Sequence, residues 1–168
     1  QNILLMLLSV LYKFIFSGGR VSRFLQNEIA IRLMSIYRVV HHNGCILKFN
    51  TPNILNHFRV DSFSTKEPET LEWIDSMPKG STLWDVGANV GLYSCYAAKQ
   101  KKCTVFSFEP SVFNLELLAR NIFINDLVEK ITIVPLSLSD NLAVSLLDMS
   151  STDWGGALST FGQSYGHD

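Results

Sequence analysis

Leu83-Trp84-Asp85-Val86-Gly87-Ala88-Asn89-Val90-Gly91 decides the reading of this 168-residue chain. An apolar run closes on an acid, two glycines follow, and sequence that favours helix begins. The order implies a strand, a tight turn and a helix start, the arrangement in which nucleotides meet backbone amides. Gly87 can take the positive φ of such a turn without a Cβ penalty, and Gly91 lets the helix start sit close to a ligand. The amides of that helix start are expected to be free donors for a carboxylate. Eighteen residues past Gly91 a second apolar run, Val105-Phe106-Ser107-Phe108, ends in Glu109. An acid there can accept hydrogen bonds from a ribose.

The spacing narrows the ligand. In the dinucleotide fingerprint G-x-G-x-x-G the middle glycine lets backbone approach a pyrophosphate, and the third permits close helix-to-strand packing. Asn89 and Leu92 hold those places here, so a pyrophosphate is poorly served and a nicotinamide-dependent oxidoreductase is disfavoured. The remaining pattern, Asp85-x-Gly87-x-x-x-Gly91 with a distal acid, suits a single nucleoside with a short charged tail, as in S-adenosylmethionine.

Three motifs in order carry a family resemblance: Thr65 to Asp75 (TKEPETLEWID), Trp84 to Ser94 (WDVGANVGLYS) and Phe108-Glu109-Pro110. They resemble the FkbM family of S-adenosylmethionine-dependent methyltransferases. Asn114-Leu115 through Asn121 and Asn125, and then Leu138-Ser139-Asp140, are also similar to that family, so the resemblance covers roughly residues 43 to 162. It implies a Rossmann-like class I methyltransferase fold of the doubly wound α/β type. It further implies cofactor-binding positions at Asp85, Gly87, Ala88, Asn89, Gly91, Glu109 and Pro110. Asp85, Gly87 and Gly91 would lie at the methionine end, Glu109 on the ribose, Ser139 and Asp140 near the adenine, and Glu67 opposite the methionine amino group. The residues alone offer a plainer account of Glu67 and Glu69, as acids placed where a helix N-terminus favours them. Family members continue into a further strand resembling Ile-Lys-Ile-Asp-Val-Glu-Gly and into elements that build the acceptor side. No such stretch occurs before Asp168, and the chain begins at Gln1, so both ends are expected to be those of a fragment.

Composition bounds the partners. A formal charge of −1 gives no broad attraction for nucleic acid. Lys99, Lys101 and Lys102 read as a solvated helix end. Cys45, Cys95 and Cys103 are odd in number and lack C-x-x-C spacing, which suggests neither a disulfide framework nor a zinc site and fits a reducing, cytoplasmic setting. His41 and His42 are adjacent in a strand and point to opposite faces, while His57 and His167 have no partner at ligand spacing, so no metal is expected. Residues 3–16 are apolar enough to suggest a packing or membrane-surface helix, but the run falls short of the ~20 residues of a spanning helix.

Hydrophobic periodicity divides the chain into peripheral helices over 1–36, a hairpin and lead-in helix over 37–80, and a partial cofactor-binding domain over 81–168. Asn43-Gly44 between two β-rich runs is a strong hairpin signal. From Ser81 onward the pattern alternates: strand 82–86, helix 89–100, strand 103–108, helix 111–124, strand 130–136. Ser111 is placed to cap the second helix, Asn121 and Asn125 to sit at its polar edge and end, and a short strand is expected over 143–147. Trp154 reads as a loop anchor. The expected function is methyl transfer to a hydroxyl of a sugar, polyketide or similar small molecule, with no catalytic base nameable. The alternative is a non-catalytic cofactor-binding or interaction module, and the exposed first strand of an incomplete sheet would favour self-association.

Overall fold

The computed structural model describes residues 2–141, 144–157 and 159–162. The chain divides into two compact units, Gln1–Ile36 and Tyr37–Asp168. The first is a pair of helices, α1 (Asn2–Ile15) and α2 (Arg20–Met34). They meet at an angle of 105°. The turn between them is fixed by side chains of α2: Ser22 Oγ donates to the Ile15 carbonyl, and Gln26 Nε2 donates to the same oxygen at 2.8 Å.

The second unit opens with a hairpin, β1 (Tyr37–His42) and β2 (Cys45–Asn50). His42 faces Cys45 across it, and Asn43 and Gly44 take φ of +43° and +75°. Two left-handed turn residues match the strands' twist, which is why Asn-Gly specifies this register. Three short helices follow: α3 (Ile54–Asp61), α4 (Phe63–Lys66) and α5 (Pro68–Ser76). Asn53 caps α3 by accepting from the Asn56 amide, and Pro68 opens α5, where its missing N–H costs nothing.

Next comes an unbroken βαβαβ run of β3 (Thr82–Val86), α6 (Leu92–Gln100), β4 (Thr104–Phe108), α7 (Val112–Ile124) and β5 (Ile131–Val134). The three strands are parallel in the order β3-β4-β5, so the chain has a Rossmann-like α/β fold. On one face of this sheet Leu83, Val105 and Ile131 are buried together with Tyr96, Ala97 and Leu118 of α6 and α7. The hairpin packs on the far side of those helices through Leu47 and Phe49, which are fully buried. Each such side chain contributes about 1.5–3 kcal/mol on leaving water. Phe63 binds the layers together, its ring lying 5.7 Å from Tyr96 and 6.2 Å from Phe49. The other face carries Trp84 and Val86, both more than half exposed. Only one of the two helical layers of a doubly wound fold is thus present among the described residues. A small antiparallel pair, β6 (Leu147–Asp148) with β7 (Thr160–Phe161), ends the described chain.

Several expectations need correction. Helix α6 starts at Leu92 rather than 89, because Asn89 and Gly91 both adopt positive φ. Ser111 stands at the N-cap of α7, but its side chain makes no capping bond; the Glu109 carboxylate takes the Ser111 amide at 2.9 Å instead. Asn125 is at the helix end as expected, its C-cap, but Asn121 is not at a polar edge. Both are buried, and they tie α7 to the hairpin. Asn121 Oδ1 accepts from the Asn50 amide at 2.8 Å while its Nδ2 donates to the Val90 carbonyl at 2.8 Å. Asn125 takes both backbone groups of Lys48, accepting from its N–H at 2.9 Å and donating to its C=O at 2.6 Å. Two side-chain amides therefore do for β2 what a neighbouring strand would do. The strand expected over 143–147 includes position 143, which lies outside the described residues, as does His167; pairing is seen instead at Leu147–Asp148.

Candidate functional site

The site forms where parallel strands end and the chain turns into helices, the usual place for ligands in open α/β sheets. At the end of β3, Gly87, Asn89 and Gly91 have φ of +78°, +52° and +81°. The turn is held against β4 because the amides of Gly87 and Ala88 both donate to the Phe108 carbonyl, at 2.9 and 3.0 Å. A Cβ on Gly87 would meet nothing within 4 Å, so glycine serves backbone conformation there. Gly91 differs. A Cβ on it would overlap Leu118 Cδ1 of α7, and Gly91 lines neither cavity at the site. Its missing side chain lets α6 pack closely on α7.

Two cavities flank Gly87. The first, about 340 Å³, is lined by Arg59, Lys66, Glu67, Asp85, Gly87, Ala88, Asn89 and Tyr93, among others. The second, about 350 Å³, is bounded by Gly87, Phe108, Pro110, Leu136, Leu138 and Ser139, with Ser159 and Phe161. The first mixes both signs of charge; the second has no charged lining residue and sets Phe108, Pro110, Leu136, Leu138 and Phe161 beside three serines.

Asp85 closes the floor of the charged cavity. It lies on β3 and faces the first turn of α6, from which it receives the Ser94 hydroxyl at 2.5 Å and the Ser94 backbone N–H. Ser94 Oγ also lies 2.6 Å from Ser107 Oγ on β4, so the carboxyl ends a short buried hydroxyl chain. Burial pushes Asp85 above its ordinary value, and the two Ser94 bonds oppose that only in part. Across the cavity, Glu67 accepts from the Tyr93 hydroxyl and lies 3.5 Å from Lys66 Nζ. Burial, and then the nearby Glu67, push the Tyr93 phenol up and keep it neutral. Arg59 is pulled below its usual value by burial, with Glu67 and Glu109 acting in the opposite sense.

Glu109, just past the end of β4, is engaged within the protein. It is only 5% exposed. Oε2 accepts the Asn89 amide at 2.8 Å, and Oε1 accepts the Ser111 amide at 2.9 Å and Asn114 Nδ2 at 3.3 Å. The acid thus fixes the glycine-rich turn to the start of α7. The Val90 amide donates to Asn89 Oδ1 and the Gly91 amide to the Ala88 carbonyl, so the amides expected to be free at the turn are engaged.

A strap of three residues, Trp154 to Gly156, lies beside this acid. Its Gly156 carbonyl accepts from Asn89 Nδ2 at 2.7 Å and Asn114 Nδ2 at 3.0 Å. Gly155 donates to Asn114 Oδ1 at 2.9 Å, and its carbonyl takes both Arg59 Nε at 2.8 Å and Nη2 at 2.5 Å. The Trp154 carbonyl accepts from Asn53 and Asn56, while its indole N–H reaches Glu116 Oε2 at 3.1 Å. Trp154 is therefore an anchor, and the strap joins α3, the turn and α7. Gly155 has φ of +87°, and a Cβ there would come within 2.9 Å of Asn56 Oδ1.

The structure brings Glu67, Asp85, Gly87, Ala88 and Asn89 to the charged cavity, and Gly87, Pro110 and Ser139 to the apolar one. Glu109 stands behind the turn, and Asp140 lines neither cavity, its carboxylate accepting from Ser139 Oγ and Asn141. Arg59, Lys66, Tyr93 and Asn114 were not singled out from the sequence. Lys66, Tyr93 and Asn114 lie within the stretches that carry the family resemblance, while Arg59 left no signal. No group of three or more His, Cys, Asp or Glu with metal-binding geometry occurs among the described residues.

No family model and no curated protein sequence matches the chain. Solved structures of methyltransferases are similar to parts of it. TYW2 from P. horikoshii, solved with MeSAdo, has a TM-score of 0.45 at 20% identity over 60% of this chain and 36% of that one. TYW2 from M. jannaschii, solved with AdoMet, has 0.43 at 22% over 67% and 47%. Precorrin-6y C5,15-methyltransferase from Geobacter metallireducens has 0.37 at 18% over 43% and 39%. The chain spans less than half the length of each of these three structures.

Proposed function

We propose that the unit from Tyr37 onward binds S-adenosylmethionine and is the cofactor-binding part of a methyltransferase. The observation that carries this reading is the pair of cavities on either side of Gly87, one lined by two cations and two carboxylates and the other uncharged, with apolar side chains and serines. A zwitterionic amino-acid tail needs both signs of charge, and a nucleobase needs apolar faces with few polar groups. Arg59 and Lys66 suit the tail's carboxylate, and Glu67 and Asp85 suit its ammonium. Pro110, Phe108 and Leu138 offer faces for the base, with Ser139 at its edge. The Glu109 carboxylate holds the turn between the two cavities, and the lone pairs left beyond its three bonds are the acceptors for ribose hydroxyls. A pyrophosphate fits poorly, because the amides of Asn89, Val90 and Gly91 already have partners.

When bound, this cofactor supplies a methyl group already activated by the sulfonium charge. The protein then has chiefly to position the reactants and exclude water. Tyr93, kept neutral by burial and by Glu67, closes one wall of the charged cavity without adding charge. The resemblance to the FkbM family supports a hydroxyl of a sugar, polyketide or related small molecule as acceptor, and a cytoplasmic setting accords with three unpaired cysteines. Isothermal titration with S-adenosylhomocysteine and with NAD tests the reading: heat is expected from the first and none from the second. Saturable binding of NAD with none of S-adenosylhomocysteine would overturn it.

A further inference from the structure

Helix α1 has an arrangement that water does not support. Leu4, Leu5, Met6 and Leu7 follow one another at the 100° steps of an α-helix and so point to all of its sides, and each is more than half exposed. Leu8, Val10, Leu11, Tyr12 and Phe14 continue the pattern, every one exposed within the helical unit. Apolar surface of this extent, far beyond a few scattered residues, marks a contact that is made elsewhere. Its distribution identifies the occupant. A groove on another protein, or a second copy of the helix, covers one stripe of an amphipathic helix and leaves the opposite side polar. Beyond Asn2 in α1, only Ser9 and Lys13, four residues apart on one face, mark a narrow polar edge, and so wide an apolar arc beside a cluster of cations suits a lipid phase.

We propose that the Gln1–Ile36 unit inserts α1 into a lipid bilayer carrying anionic headgroups, with α2 at the headgroup level. No acid lies between residues 1 and 27, and the unit's cations, Lys13, Arg20, Arg23 and Arg32, stand against the single carboxylate of Glu28. Lys13 is in the last turn of α1, and Arg20 and Arg23 open α2, so three charges gather at one end of the apolar helix. Long cationic side chains at that position reach anionic headgroups while the apolar part enters the hydrocarbon. The described 14 residues of α1 span about 21 Å at 1.5 Å per residue, less than the ~30 Å of a hydrocarbon core. No single described helix is long and apolar enough to cross a membrane. The 105° bend then turns α2 away from the direction of insertion. Ser22 and Gln26 hold that bend by occupying the Ile15 carbonyl, a backbone acceptor that lipid would leave unsatisfied.

The test uses the full chain and two kinds of vesicle, phosphatidylcholine alone and an equal mixture of phosphatidylcholine with phosphatidylglycerol. Co-sedimentation is expected with both, stronger with the mixture, and the difference should shrink as salt is raised. The double substitution Leu5→Glu/Leu8→Glu should cut the partition coefficient at least about tenfold, since a charge in hydrocarbon costs several times what a leucine gains. Because that variant can misfold, a Tyr12→Trp reporter provides a second measurement in an otherwise unaltered helix. The emission it adds to that of Trp73, Trp84 and Trp154, read as the difference from the unsubstituted chain, should shift to the blue on vesicle addition and be quenched by brominated acyl chains. A chain that stays in the supernatant with both vesicles, or a reporter indole whose emission brominated lipid leaves untouched, would overturn the proposal. So would a lipid-independent oligomer dispersed by the two glutamates, which would assign α1 to a second copy.

Discussion

Glu109 shows how one side chain can stand at a site and serve first as its scaffold. Removing it leaves the Asn89 and Ser111 amides without an acceptor in a place closed to water, and Asn114 Nδ2 with the Gly156 carbonyl alone. Glu109→Ala should therefore lower stability by on the order of 3 kcal/mol even with no ligand present, as a denaturant melt will show. Any loss of nucleoside affinity should be measured beside Glu109→Gln, which keeps one acceptor; equal stability of Glu109→Ala and the parent would remove the scaffold role. Asp85 makes a prediction about pH. Burial raises its folded-state value above the ordinary 3.8, so the native state disfavours the ionised form. The sign follows: no penalty exists below pH 3.8, where both states are protonated, and stability is lost as pH rises through the raised value. Asp85→Asn keeps an acceptor for Ser94 and should be more stable than the parent at neutral pH, with the gap closing in acid. Melting curves across that range decide it, and a parent that is the more stable at neutral pH would reverse the assignment.

At the scale of elements, the strand–turn–helix units were legible because hydrophobic period, glycine position and the Asn-Gly turn all pointed one way. Strand Thr82–Val86 and the hairpin register follow from residues adjacent in sequence. What stayed hidden depends on contacts far apart in the chain. Helices α3 and α4 lie in a stretch whose polar residues resemble loop sequence, and Asn53 and Asn56 find their partner about a hundred residues away, in Trp154. The buried amides of α7 were missed for the same reason, since nothing local says that Asn121 and Asn125 face a hairpin edge. Asn121→Ala should strand the Asn50 N–H and the Val90 C=O, at about 1–3 kcal/mol for each buried group. Amide exchange at Asn50 should speed up with the loss; unchanged protection would mean that Asn121 does not pin the hairpin. Among the described residues strand β3 is at the edge of its sheet, with Trp84 and Val86 exposed on the uncovered face. Such an edge invites another strand. Self-association that Trp84→Lys suppresses in sedimentation velocity is the expected behaviour, and a concentration-independent monomer would refute it.

For the molecule as a whole, two compact units of unequal size imply two transitions. Trp73, Trp84 and Trp154 all belong to the larger one, so tryptophan fluorescence reports its melting alone, while circular dichroism sums the helices of both. The two probes should give non-coincident curves in the absence of lipid, and superimposed curves would indicate a single cooperative body. The three cysteines share the same location. Cys45, Cys95 and Cys103 are buried and unpaired, and burial pushes each thiol up, Cys95 furthest. A thiol that is both shielded and protonated reacts only when the structure around it opens. Alkylation kinetics of the unmodified protein are therefore a clock for opening of the cofactor-binding unit, without added labels. Three positions on a hairpin, a helix and the start of a strand can be read separately by mass, and slower alkylation under S-adenosylhomocysteine would convert ligand affinity into a rate.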